Sequence, residues 1–278
     1  MATALPTLTE AVFQEEFLQL RSQLVSYLYR LTTHPQDAED LAQDTYLKAL
    51  ENFSKFAGRS SLKTWVFSIA TNLARDHFRV RSRWGEDIQD RCREATQSAP
   101  EKVAEMRRIV NSSPAEKYEF HEHVDYCFSC IAKTLEIEQQ LALVLKEIYD
   151  FTVAEIMEIL QLSEGKVKHA IADARRIMGE IFDRRCVLVS QQGACYQCSE
   201  INGFINPKQD AREAMLRLKL VQEAQNGASK ERLLDLRSEL VKMIDPLNVP
   251  GSELHAYLLS LMPPHAREDG PESSSNEK

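Results

Sequence analysis

Residues 37–83 read DAEDLAQDTYLKALENFSKFAGRSSLKTWVFSIATNLARDHFRVRSR, two helical segments joined by a short loop. The charge changes sign along this stretch. Between Pro35 and Glu51 the acids Asp37, Glu39, Asp40, Asp44 and Glu51 stand against Lys48. Between Arg59 and Arg83 the bases Arg59, Lys63, Arg75, Arg79, Arg81 and Arg83 stand against Asp76. An acidic helix followed by a basic one suggests two different partners, one basic or polar and one polyanionic. In the second segment, from about Ser61 to Arg83, Trp65, Ile69 and Leu73 recur at helical spacing with Val66 and Ala70 beside them. Ser68, Asn72, Arg75 and Arg79 form a second stripe, polar and basic, of the kind that meets phosphates and base edges. A solvated face on an ordinary amphipathic helix gives the same pattern.

The rest of the chain is helical by the same criteria. Phe13, Phe17, Leu20, Leu24, Leu28 and Leu31 share a face of a helix over about 10–31, which His34-Pro35 ends. From Trp84 to Lys117 the periodicity fades into a linker with some helix in it. A second helical block spans about Phe120 to Arg185. Within it Thr152-x-x-Glu155 is a capping box opening a helix from Val153 to Leu160. Gln161-Leu162-Ser163 is a tight turn, and Ser163 caps a further helix carrying Val167, Ile171, Ala174 and Met178 on one face. Two helices joined by a three-residue turn form the helix-turn-helix pattern, with Lys166, Lys168, His169, Asp173, Arg175 and Arg176 facing outward. A plain helical hairpin is the alternative. After a loop-rich piece come helices over about 209–225 and 230–244, then a short one over 252–261. The tail from Pro263 is polar, with the composition of a disordered segment.

Composition sets bounds. The chain has 278 residues, 43% hydrophobic and 27% charged, enough for two or three small domains. Apolar runs are as short as Leu141 to Leu145, far below a membrane span, and the N-terminus lacks the pattern of a secretory signal, so a cytoplasmic protein is expected. A net charge of −8 argues against a free-standing nucleic-acid binder but suits one that works beside a larger partner. No catalytic constellation is visible; a zinc-dependent enzyme would need an H-E-x-x-H or a carboxylate beside the ligands.

These residues resemble a family. DAEDLAQDTYLKAL with FSKFAGRSSLKTWVFSIATNLARDHFR is similar to domain 2 of bacterial RNA polymerase sigma factors of the extracytoplasmic-function type. EQQLALVLKEIYDFTVAEIMEILQLSEGKVKHAIADARRIM is similar to their domain 4. The resemblance implies an all-α protein: domain 2 over 10–84, a linker over 85–119, and domain 4 over 120–185. A cysteine knuckle over 186–207, a helical C-terminal extension over 208–262 and a tail over 263–278 complete the reading. It implies no enzymatic activity, with core RNA polymerase and promoter DNA as partners; an anti-sigma factor is a further partner left open. Docking on the polymerase falls to Asp37, Asp40, Leu41, Gln43 and Asp44. Contact with the −10 element falls to the loop with Phe56, Arg59 and Ser60, where a flipped base is captured, and to Lys63, Asn72, Arg75 and Arg79. The −35 element falls to Ser163, Lys166, Lys168, His169, Arg175 and Arg176, and Leu141 to Tyr149 would help dock domain 4 on the polymerase flap. The recognition helix departs from the family pattern at Ala170, where an arginine is usual. A stand-alone helix-turn-helix regulator sensing metal or redox state is the other reading; it has no need of the acidic helix.

Six cysteines add a separate theme. Cys127 and Cys130 form one C-x-x-C, Cys195 and Cys198 another, with Cys186 nearby and Cys92 alone. In a reducing compartment such pairs point to metal or redox chemistry. His123, Cys127 and Cys130 share a helical face that lies beside the apolar stripe of Val124, Phe128, Ile131 and Leu135. The H-x-x-x-C-x-x-C is similar to that of zinc-binding anti-sigma domains. Zinc held by some of His123, Cys127, Cys130, Cys186, Cys195 and Cys198 is expected, with an iron–sulfur cluster or a redox pair as alternatives. The C-terminal helices, clamped by this cluster, are expected to regulate the access of domain 4 to DNA or polymerase.

Overall fold

A computed structural model describes residues 9–79, 84–85, 87–88, 99–112, 120–186, 219–248, 257 and 259. Helix α1 covers Glu10–Thr32 and α2 covers Pro35–Asn52. Thr9 caps α1 by accepting the Val12 N–H, and Thr33 ends it in the left-handed region at φ 60°. His34 caps α2: it is extended, its Nδ1 accepts the Asp37 N–H, and Pro35 occupies the first turn, where no N–H is missed. The two helices form an antiparallel hairpin. Along α1, Phe13 meets Phe53, Phe17 meets Tyr46, and Arg21 pairs with Glu39, so partners descend α2 as α1 ascends.

After a 3-10 turn at Phe53–Lys55, Gly58 at φ 62° bends the chain and α3 runs over Leu62–Arg79. Its buried side is Leu62, Val66, Phe67, Ala70, Ala74 and Phe78. Tyr27 of α1 fixes its height, bonding Thr71 across 2.9 Å and packing on Phe67.

Helix α4 covers Pro100–Ser112. A second group follows: α5 Phe120–Ala132, α6 Ile137–Glu147, α7 Val153–Leu160 and α8 Glu164–Arg185. The expected capping box at Thr152 and Glu155 is made from both sides, and Gln161 leaves α7 in the left-handed region at φ 55°. Helix α9 covers Lys219–Gln225, and α10, capped by Ser229, covers Lys230–Lys242 and packs along α5 and α8. The remainder of the segments expected as helices over 209–225 and 252–261, like the 263–278 tail, lies outside the described residues. No strand occurs among the described residues, and no helix among them is long and apolar enough to cross a membrane.

The two helical groups do not hang apart on their linker. The Tyr149 ring meets Tyr27 at 5.4 Å and Phe67 at 5.9 Å, and Phe151 meets Phe67 at 5.0 Å. Such a cluster adds about 0.5–1.5 kcal/mol per aromatic pair beyond its area. The second group also caps α1. Lys133 Nζ donates to the Thr32 carbonyl at 2.6 Å and to Thr33 Oγ1 at 2.9 Å, and Gln140 donates to the Arg30 carbonyl at 3.3 Å. A cation at the C-terminal end of a helix satisfies orphan carbonyls and complements the helix dipole.

Candidate polymerase and promoter interface

The acidic helix presents one open stripe. Asp40, Gln43, Asp44 and Leu47 are exposed, at the helical spacing that keeps them on one side. Leu41, expected among the polymerase contacts, is instead 7% exposed and belongs to the core that holds the stripe in place. Its i+4 neighbour Thr45 is buried too, which fixes the inward side of α2. Asp37 is half-buried and turned toward α3, with His77 Nε2 3.4 Å from its carboxylate.

On α3 the inward side is rotated from the one expected. Trp65, Ile69 and Leu73 are half-buried, while Val66, Phe67 and Ala70 fill the core. The rotation leaves Trp65 and Ile69 to line an open cleft of about 380 Å³ with Lys48, Asn52, Lys55 and Asn72. Lys55 donates to Asn52 Oδ1 at 3.0 Å, and the Asn52 amide donates to the Lys48 carbonyl at 2.8 Å, so the polar wall is pre-set. Two ammonium groups, two amides and an indole suit a nucleotide: charge for phosphate, amides for base edges, a ring for stacking. Lys48 and Asn52 lie outside the segment expected to contact DNA, while Lys55, Trp65 and Ile69 lie inside it without being named as contacts. The signal was present at Lys48, Asn52 and Lys55, spaced i, i+4, i+7, where the basic character begins.

Of the expected −10 contacts, Asn72 lines the cleft, Phe56 packs on Trp65 with ring centroids 5.3 Å apart, and Arg59 and Arg79 are exposed. Ser60 is half-buried. Two others are taken up by the second group. Arg75 makes a two-pronged pair with Glu138, at 2.9 and 2.7 Å, and donates to the Leu160 carbonyl at 2.9 Å. Lys63 lies 4.7 Å over the Phe151 ring, and burial pushes its pKa down against the pull of Glu155 and Asp150. In this arrangement neither side chain is offered to DNA, because the group packed on α3 supplies a carboxylate, a carbonyl and a ring in its place.

The helix-turn-helix places Ser163, Lys166, Lys168 and His169 on the exposed start of α8, with Lys168 paired to Glu164 at 2.6 Å. Arg176 is exposed and pairs along its own helix with Glu180 at 3.2 Å. Arg175 is turned away, held by Glu147 at 2.8 Å and by Asp235 of α10 at 2.6 Å. Leu141–Leu145 are fully buried, with α6 packed chiefly on α8 and also touching α1 and α3, and Tyr149 faces α1 and α3, so the segment expected to dock on a flap is buried here.

At the centre of these contacts sits Arg30, 2% exposed. Its Nε and Nη2 donate to Asp125 at 3.2 and 2.8 Å, and its Nη1 to Ser26 at 2.8 Å and Tyr149 at 3.0 Å. Nη2 also reaches the carbonyls of Val241 and Ile244 at 3.1 and 2.8 Å. Burial works against the Arg30 charge, yet Asp125 and Tyr149 hold its pKa above the ordinary value. Burial likewise pushes the Asp125 carboxyl up, against the pull of the guanidinium. No pattern in the sequence distinguishes Arg30 from a surface arginine.

The cysteines sit differently from expectation. Every residue from Val124 to Lys133 is buried, Cys127 and Cys130 included, because α5 is packed by α10 and α8 as well as by α1. The two thiols therefore do not form a face apart from the core. Cys186, which ends α8, is also buried. The His123 side chain, Cys92, Cys195 and Cys198 lie outside the described residues. Among the described residues no group of three or more His, Cys, Asp and Glu side chains is placed to hold a metal ion.

Comparison with known proteins identifies two regions of the chain. Residues 17–83 match sigma-70 region 2, and residues 127–178 match sigma-70 region 4. The RNA polymerase sigma factor YlaC of Bacillus subtilis (strain 168) is 29% identical over 165 residues, 58% of this chain and 87% of that protein. The ECF RNA polymerase sigma factor SigX of the same organism is 29% identical over 170 residues, 57% of this chain and 77% of its own length. Among solved structures, the sigma factor RpoE from Bartonella quintana, in complex with the anti-sigma factor NepR, covers 62% of this chain and 96% of its own at 24% identity and a TM-score of 0.44. With both regions present in order on an all-α chain, the protein belongs to the extracytoplasmic-function group of RNA polymerase sigma factors, non-enzymatic proteins that bind core polymerase and direct initiation at promoters.

Proposed function

We propose a division of labour within this sigma factor. The stripe of Asp40, Gln43 and Asp44 on α2 docks on core polymerase, with Asp37 and Leu41 shaping the helix behind it. The cleft between α2 and α3 receives the single-stranded −10 element, Trp65 stacking on an extruded base while Lys48 and Lys55 take the flanking phosphates. Lys166, Lys168 and His169 at the start of α8 read the −35 element, and Arg176 holds its backbone. The observation that carries this reading is the cleft itself: lysines, amides and an indole converge beside an exposed acidic stripe on the same pair of helices. The protein works in the cytoplasm, where its polymerase is, and an anti-sigma factor would act by covering the α2 stripe.

Pull-down of core polymerase tests the first step. Asp40→Lys with Asp44→Lys is expected to weaken binding about tenfold or more, roughly 1.4 kcal/mol per decade. Unchanged capture would reject the stripe. We also infer that the cysteines hold zinc. Cys127 and Cys130, three residues apart on α5, offer two soft ligands; tetrahedral zinc takes four at about 2.0–2.3 Å, and His123, Cys186, Cys195 and Cys198 are the candidates for the rest. Elemental analysis of the anaerobically purified chain is expected to return stoichiometric zinc; a metal-free chain contradicts the inference.

A further inference from the structure

We propose that this arrangement is a self-inhibited state of the sigma factor, and that α10 is its latch, fastened through Arg30. The proposal rests on the reading of α3 and α8 as the DNA-contacting helices. Three independent features support it.

First, the chain supplies its own substitutes for DNA. Arg75 faces the Glu138 carboxylate in two-pronged geometry, the arrangement a guanidinium also makes with phosphate, and adds the carbonyl of Leu160 at the end of α7. Arg175 faces Glu147 and, from the extension, Asp235. A promoter phosphate has to displace these acids before either arginine can reach it.

Second, one buried side chain ties three parts of the chain together. Arg30 belongs to region 2, Asp125 and Tyr149 to the second group, and the Val241 and Ile244 carbonyls to the last turn of α10 and the residues just after it. All three groups of N–H donors on the guanidinium are engaged, so separating regions 2 and 4 and lifting α10 are coupled events. At the rim, Lys242 pairs with Asp150 at 2.5 Å, and Lys230 with Asp183 at 3.0 Å.

Third, the latch is seated imperfectly. Among the described residues, the buried side-chain polar atoms left without a hydrogen-bond partner are Ser129 Oγ, Ser238 Oγ and Arg237 Nη2, and all three lie on α5 and α10. Each is a group that water would satisfy on release, so the seat opposes itself while Arg30 holds it. Arg237 also stacks on Phe182 of α8, 4.1 Å from the ring centroid, which orients α10 without satisfying that nitrogen. Among the described residues, this site is where the extension grips the sigma regions.

The test uses the full chain carrying Lys230→Glu and Lys242→Glu, two partly exposed positions outside the DNA- and polymerase-contacting sets. These changes make an acidic protein more acidic, so nonspecific electrostatics alone would weaken its binding to a promoter fragment. Release of the latch instead raises that binding, by about fivefold, and speeds amide exchange in 230–244 and in α3 around Arg75. Adding Asp150→Lys and Asp183→Lys restores both charge pairs and returns both readouts to the wild-type level. Weaker or unchanged binding with unchanged exchange overturns the latch. Faster exchange in α10 without a gain in promoter binding also overturns it, because opening would then not uncover a DNA surface. Failure of the underlying reading is separate: Lys166→Ala and Trp65→Ala would then leave promoter binding unaltered in the wild-type and released proteins alike.

Discussion

Helices α2 and α3 share a core but present their charges differently. On α2 the stripe of Asp40, Gln43 and Asp44 stands in solvent, and Asp40 accepts a hydrogen bond from Gln36 of its own helix. Two of the bases of α3 do not: Arg75 and Lys63 are turned into the second helical group, against Glu138, the Leu160 carbonyl and the Phe151 ring. Nor does Arg175 on α8, held by Glu147 and Asp235. On the proposed assignment, the polymerase-facing stripe is open while part of the DNA-facing surface is occupied, so polymerase binding would come first and promoter contact would follow the separation of regions 2 and 4. It also accommodates the net charge of −8: a chain that hides arginines and exposes acids has little to hold it on DNA by itself.

The largest effect that breaks this comparison comes from Arg30. Arg30→Met strands a buried Asp125 carboxylate and two carbonyls, and is expected to cost about 3–5 kcal/mol, as removal of one partner from a buried pair does. Urea unfolding of the full chain reads it. A loss no larger than that of a surface arginine would mean that regions 2 and 4 are held together by the aromatic cluster alone.

Next comes the cleft. Trp65→Ala is expected to weaken single-stranded −10 binding by about 1–3 kcal/mol, the range for one base stacked on an aromatic ring. Polymerase capture should not change, since the α2 stripe lies elsewhere; fluorescence of a base analogue in the −10 strand separates the two.

The smallest is a pH effect at the contact between α3 and α7. The Thr152 N–H, accepted by Glu155, holds that carboxyl below its ordinary value of 4.5, with the Thr152 and Thr64 hydroxyls adding to it and burial opposing it. A lowered acid adds stability above its ordinary pKa and loses it as pH falls through the lowered folded value. Wild type should thus lose α7 stability only below pH 4.5, and Glu155→Gln should flatten that part of the profile. Thermal melts between pH 3 and 6 check this.

Much of the fold can be read from the chain. The periodic stripe from Phe13 to Leu31, the His34-Pro35 break and the Thr152–Glu155 box each produced the element expected, because local spacing and capping chemistry decide them. Leu41, which the resemblance assigns to polymerase docking, is buried on the apolar side of α2, because an apolar residue inside an acidic run reads equally well as contact or core. Trp65 and Ile69 were placed in the core because an indole among basic residues carries no sign of which way a half-buried helix is turned. That rotation is set by Tyr27 and Thr71, forty-four positions apart. Arg30, Arg75 and Arg175 escaped for a deeper reason. Their partners, Asp125, Glu138 and Asp235, are distant in sequence, and long-range pairing leaves no local pattern.

On the proposed function, this chain confers promoter choice on a polymerase through α2 and the cleft beside it. Run-off transcription on genomic fragments, with core polymerase and the purified chain, measures it directly. Discrete transcripts that vanish with Asp40→Lys and Asp44→Lys, and fall with Trp65→Ala while polymerase capture persists, are the predicted result. A chain that binds promoter fragments alone and starts no transcript with core polymerase would contradict it.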